Sequence, residues 1–309
     1  MRDLVILMLI TIALAWCADH VAFGPVKHNR RQRLIVCTVV IIILLAGFAG
    51  LRTRCNDTVT YRYYYKLLTE KLWEASDKSI GSNPLFNWVN YRLKMHGVST
   101  QNFLMFWAFL TVGCYFIFVH KYSVNYPLTI FLLFVTGCYT FAFAGIKQAA
   151  AVGISVIATM FALKKKWLLF AVGILIATLI HPYSLMYLAV PFMTFKPWTK
   201  ITYWMLAAFI AAGFLLRPLL GTVVNITTLL GEEYTVSSFT GDGVNMFRVL
   251  VCNVPMVLSF LYRKKLFADS SEAENLAMNL TMLNGAIMFD GLFGTANYFA
   301  RLANYFLIF

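Results

Sequence analysis

The chain has 309 residues, 60% of them hydrophobic and 16% aromatic, while Asp, Glu, Lys and Arg together make up only 13%. A water-soluble domain keeps about a quarter of its residues charged, so this composition excludes an ordinary soluble fold and makes the bilayer the solvent. The formal net charge of +13 does not mark a nucleic-acid partner, because Lys and Arg stand in short clusters between apolar runs, where membrane orientation signals belong.

A helix needs about 20 mainly apolar residues to cross the hydrocarbon core, and fewer inside a bundle. In chain order the first predicted spans are 4–18, 34–51, 102–119, 126–145 and 148–163. Arg2 and Asp3 precede the first run and no small-x-small site follows it, so it is read as a retained span rather than a cleaved signal. The run 167–195 is too long for one span and too short for two full ones. His181–Pro182 interrupts it, and proline removes a backbone donor and bends a helix. Two short helices meeting at a break are therefore expected, a geometry tolerated at membrane depth where it is buried in protein or lines a watery cavity. Spans 201–216, 245–262 and 276–293 follow, and a last apolar run opens near Leu302 and stops at Phe309, as though within a helix. The expected fold is all-α: one polytopic transmembrane domain over 1–309, with about 10 spans.

Counting 167–195 as two passes gathers Lys27, Arg30, Arg31, Arg33, Lys121, Lys164–Lys166, Lys196, Lys200 and Arg263–Lys265 on one side. That is half of the 26 basic residues, and the positive-inside rule makes this side cytoplasmic and the N-terminus extracytoplasmic. Two outer loops result, 52–101 and 217–244. The first contains YRYYYKLL and NPLFNWVNYRL, aromatic-basic segments suited to an amphipathic helix at the interface. The six cysteines show no CxxC or Cys/His ligand spacing, so neither a metal site nor a disulfide framework is expected.

Ionisable residues at membrane depth are costly and usually functional. In this topology Arg52, Lys147, His181, Arg248 and Arg301 fall at outer helix ends, with Asp57, Glu232, Glu233 and Asp290 in the connections nearby. Arg52 and Lys147 have the simpler reading of snorkelling side chains, and His181 that of satisfying carbonyls at a kink. Yet four separate segments deliver a cation to the face that the short-loop rule keeps poor in them. An anionic ligand accounts for that, and a diphosphate suits it because guanidinium offers a planar fork to phosphate oxygens. No DxD motif appears, so a metal-bridged diphosphate is not expected, and no cofactor is called for.

The same residues carry a resemblance to the EpsG family, the Wzy-like polymerases of bacterial exopolysaccharide. GLRTRCNDTVTYRYYY (50–65) resembles its GLR–Asp–Tyr segment, and NPLFNWVNYRL (83–93) its E-P-x-F-x-x-L-N loop, with Asn83 in place of the usual Glu. GIKQAAAVGISVIA (145–158) and IATLIHPYSL (176–185) resemble its RQ-x-x-A and IA-x-x-x-H-x-S helices, with Lys147 where Arg is usual. YFARLANYF (298–306) is similar to its closing Arg–Tyr segment.

The resemblance implies a GT-C-like membrane glycosyltransferase in the bacterial inner membrane, acting on oligosaccharide repeat units carried on undecaprenyl diphosphate. It would build exopolysaccharide, capsule or O-antigen without a metal, alongside a flippase and a chain-length regulator. Arg52, Lys147 and Arg301 would hold the diphosphate, with Arg248 as a fourth. His181 is the first choice for the base that takes the acceptor's proton and Asp57 the second, while Tyr61, Tyr64 and Trp88 are candidates to stack on sugars. A lipid-linked glycan flippase, a membrane O-acyltransferase and a glycan ligase remain alternatives on sequence grounds.

Overall fold

Residues 2–20, 35–76, 79–215, 218–229, 243–293 and 296–309 are described in the computed structural model. Among them the fold is all-helical, with no strand. The basic residues Lys27, Arg30, Arg31 and Arg33, together with Arg217, Glu232 and Glu233, lie outside the described residues. The chain divides into two compact units, one of residues 1–78, 82–161 and 167–181, the other of 79–81, 162–166 and 182–309.

The first unit begins with α1 (Arg2–His20) and α2 (Ile35–Leu51), both apolar on nearly every side. The segment 52–101, expected as a loop, is structured: it forms α3 (Thr58–Leu67), α4 (Glu70–Glu74) and α5 (Pro84–Met95). The long helix α6 (Thr100–Tyr122) follows, capped by the Ser99 hydroxyl, which accepts from the Asn102 amide. It packs along α2. At Gly50 the backbones come so close that a Cβ would stand 2.5 Å from Met105 Sδ and 2.8 Å from its Cα. Only glycine allows that approach.

The predicted span 126–145 is two helices, α7 (Tyr126–Val135) and α8 (Cys138–Ala144), bent by 45°. Gly137 makes the bend: its φ of +84° ends α7, and its carbonyl accepts the Phe141 N–H that opens α8. Then α9 (Ile146–Leu163) runs through the unit, burying Ala149, Ala150, Ala151, Ser155 and Ala158. Small side chains of this kind let helix backbones approach closely where lipid removes the hydrophobic drive between helices. Last comes α10 (Trp167–Ile180), which packs on α5. One core cluster joins these elements: Tyr65 of α3, Phe86 of α5, Phe103 and Trp107 of α6, Ile146 and Ala150 of α9, and Ala177 and Ile180 of α10.

The break expected at His181–Pro182 is present. The α-helix stops at Ile180, and Pro182–Thr194 continues as 3-10 helix rather than as a second α-helix. The stretch is not one straight helix: it contains Pro191 and is kinked at Met193, whose φ of −91° and ψ of 15° are not helical.

In the second unit α11 (Lys200–Leu215), α12 (Leu220–Leu229), α13 (Met246–Leu261) and α14 (Arg263–Leu266) precede α15 (Glu272–Asp290) and α16 (Ala296–Ala303). The centre is α15, which packs against α11, α13, α16 and the 3-10 stretch. Its N-terminus is closed by a capping box in which Ser271 and Glu274 satisfy each other's backbone N–H groups. Asparagines then staple it. Asn279 donates to the carbonyls of Met193 (2.7 Å) and Phe195 (2.8 Å), and Asn284 to that of Ala303 (2.7 Å). Beyond α16 the chain continues in turns to Phe309, where the sequence pattern had suggested a helix.

Among the described residues α1, α6 and α9 are long and apolar enough to cross a membrane, and the bent pair α7–α8 is a fourth if it forms one span. The apolar helices α2, α10, α11 and α13 are shorter, at 10–17 residues.

Candidate functional site

Arg52 directly follows α2. Next to it Cys55 and Asn56 both take positive φ, 147° and 41°, a conformation that costs about 1–3 kcal/mol per non-glycine residue. This turn folds the start of α3 back onto Arg52, where Thr58 Oγ1 accepts from Arg52 Nε at 2.9 Å. The same hydroxyl faces the Phe143 carbonyl at 3.4 Å, and the Arg52 guanidinium lies over the Phe143 ring, 5.6 Å from its centroid. Arg52 Nη1 also donates to the Ala49 carbonyl at the end of α2.

A guanidinium has five N–H donors. Two are used by Thr58 and Ala49; among the described residues the other three have no hydrogen-bond acceptor. Burial pulls the Arg52 pKa down to about 10, against the opposing pull of Cys55, Tyr139 and Tyr61. Three units above neutrality still leave roughly one group in a thousand uncharged at pH 7.

Asp57 occupies the cap position of α3, one residue before Thr58, and its side chain does not cap the helix. Tyr61 is half-buried, edge-on to Phe86 at 6.0 Å. Tyr64 and Trp88 stand out from the unit, 66% and 49% exposed. Exposed aromatics of this kind serve an interface as well as a sugar. The first unit therefore brings Arg52 and Tyr61 together, with Asp57 at the start of the same helix α3 and Tyr64 and Trp88 at its surface.

Lys147 lies in the first turn of α9, where the unsatisfied N–H groups and the helix dipole are also positive. With its amide oriented as its neighbours require, Asn83 accepts from Lys147 Nζ at 3.0 Å and donates to the Ile180 carbonyl at 3.1 Å. His181, 6% exposed, is the next residue after that carbonyl. Its backbone N–H closes the last turn of α10 on Ala177. Lys147 and His181 thus share one link. Phe143, which the Arg52 guanidinium overlies, is four residues before Lys147 across the non-helical Gly145 between α8 and α9, and Phe86, which Tyr61 meets edge-on, is three residues after Asn83.

In the second unit Arg248 stands exposed in the first turn of α13 and donates to Asn304 Oδ1 at 3.4 Å. Asn304 is buried just beyond the end of α16, its N–H bonded to the Ala300 carbonyl, and Arg301 stands exposed three residues before it. Asp290, at the end of α15, is buried with Oδ1 close to Gly213.

A family model described as the EpsG family matches residues 35–309. The chain belongs to the EpsG family. Neither the curated proteins nor the solved structures include a match to it. Membership and the apolar helices make it a membrane protein of the polysaccharide-polymerase kind.

The EpsG-like stretches carry these residues: in the first unit GLR carries Arg52, the Asp–Tyr segment carries Asp57, Thr58 and Tyr61, and further stretches carry Asn83, Lys147 and His181, while in the second unit the closing segment carries Arg301. Asn83 and Lys147, which stand where the resemblance has Glu and Arg, are in contact with each other. Sequence reasoning did not assign Thr58, Asn304 or a role for Asn83. Only the Asn83–Pro84 dipeptide carried a signal, since Asn before Pro marks a turn.

Proposed function

We propose that this chain joins oligosaccharide repeat units carried on undecaprenyl diphosphate into a longer glycan at the outer face of the bacterial inner membrane. The observation that carries the proposal is Arg52, a partly buried, protonated guanidinium with three N–H donors to spare, in the same unit as Lys147. In this reading a GT-C-like bundle of about 10 spans, N-terminus outside, includes the shorter apolar helices as crossings.

A hydroxyl of the incoming unit attacks the anomeric carbon of the growing chain. The bond from that carbon to the lipid diphosphate breaks, the diphosphate keeps the electron pair, and the configuration inverts. His181 takes the hydroxyl proton, with Asp57 as the alternative acceptor. Negative charge grows on the diphosphate as it leaves. Fixed cations that tighten on it in the transition state are therefore the main catalytic need, and Arg52, Lys147, Arg301 and Arg248 meet it. Tyr61, Tyr64 and Trp88 offer ring faces to sugars.

A deletion strain is expected to lose long polymer and accumulate lipid-linked single units on the outer leaflet. Accumulation on the inner leaflet points to a flippase, and unchanged polymer length with lost acetylation to an acyltransferase. Either result defeats the proposal.

A further inference from the structure

We infer that Asn83 is a positioning residue that sets Lys147 and the broken end of α10 at once. The inference rests on the reading of Lys147 as a diphosphate contact. Asn83 is 8% exposed and holds a left-handed conformation, φ 59° and ψ 56°. Pro84 follows at the first position of α5, and Phe86 and Asn90 anchor that helix in the core, Asn90 by accepting from Trp107 Nε1 at 2.8 Å. Its backbone is therefore held in place on both the local and the tertiary level.

From this fixed point the amide reaches two groups of opposite character. Nδ2 donates to the carbonyl of Ile180, which ends α10 and so lies outside the helical ladder. Oδ1 accepts from the Lys147 ammonium. An amide donates and accepts at once, whereas a carboxylate only accepts. Aspartate here would repel the Ile180 carbonyl and set a full negative charge about 3 Å from the ammonium. The amide orients the ammonium without cancelling its charge, and the same bond fixes the residue from which His181 departs. Asn83 thereby couples the position of an anion-binding cation to that of the helix break.

The test uses the full chain in nanodiscs, with undecaprenyl diphosphate as the binding probe and turnover of lipid-linked units as a second readout. Asn83→Gly is the removal variant, because glycine tolerates φ 59°. Losing a charge-assisted contact is expected to weaken probe binding about ten-fold, with Asn83→Asp weakening it at least as much. The change in turnover falls mainly on KM. The double variant Asn83→Gly with Lys147→Ala is expected to bind no worse than Lys147→Ala alone, since residues acting through one another are not additive. Full additivity overturns the inference. Failure of both Asn83 variants to accumulate in the membrane also overturns it, because it assigns Asn83 to folding alone. If Arg52→Ala and Lys147→Ala both bind the probe like the unaltered chain, the diphosphate reading itself fails and the inference falls with it.

Discussion

Replacing Arg52 by Ala removes a cation that is tied to its own helix end by two bonds and keeps three donors for a ligand. Opposite unit charges about 4 Å apart at an effective dielectric of about 20 attract by about 4 kcal/mol, and after hydration is discounted a hydrogen bond to a charged group contributes roughly 1.5–3 kcal/mol. A loss of about 3 kcal/mol in the transition state slows turnover roughly a hundred-fold. Stability should change little, because the desolvation that lowers the Arg52 pKa disappears with the charge, offsetting the lost bonds to Thr58 and Ala49. Arg52→Lys keeps the charge but not the fork, and its expected loss is nearer ten-fold. The assay is turnover of lipid-linked repeat units in membranes from a deletion strain, normalised to the amount of inserted protein. Activity of Arg52→Ala within about three-fold of the unaltered chain, at equal abundance, refutes the diphosphate clamp.

Other outcomes follow from the same structure. Gly50→Val puts a Cβ within 2.5 Å of Met105 Sδ and is expected to cost about 1–3 kcal/mol by overpacking α2 against α6, read as a lower unfolding temperature and a loss of turnover as Arg52 shifts. Because the folded pKa of Arg52 lies below its usual value, its charge is complete below about pH 9 and is lost as pH rises through about 10. Its contribution to diphosphate affinity is therefore constant from pH 7 to 9 and falls above 10, which binding titrations of the unaltered chain and Arg52→Ala would resolve. Ser271→Ala removes the capping box of α15 and should cost about 1 kcal/mol in thermal unfolding. The Ser271 N–H and hydroxyl hold Glu274 below the usual carboxylate range, so the stabilisation from this box is present at neutral pH and fades as pH falls through the lowered pKa. Pro182→Ala supplies the missing backbone donor and should let α10 run past Ile180, lowering turnover while the protein stays inserted.

Helix content, the approximate limits of the apolar helices and the break at Pro182 were all legible in the sequence, and the sequence also singled out Arg52, Lys147 and His181 as candidates. Each depends on local rules: run length against bilayer thickness, the missing proline N–H, and the cost of a charge among apolar neighbours. Three features were not legible. The bend at Gly137 turns on a left-handed backbone that Ser-Gly-type turn signals do not mark within an apolar run. The 3-10 stretch Pro182–Thr194 packs on α15, and at its kinked end Asn279 donates to the carbonyls of Met193 and Phe195, contacts that no local pattern announces. The Asn83–Lys147 contact joins residues 64 positions apart, and no periodicity or spacing encodes a pair so distant. Composition and pattern determined that this chain is a helical membrane protein with cations beside its apolar runs, because solvation acts residue by residue. Which of those cations meet which partners was decided only by tertiary packing, because a hydrogen bond needs two groups within about 3 Å and sequence distance says nothing about that.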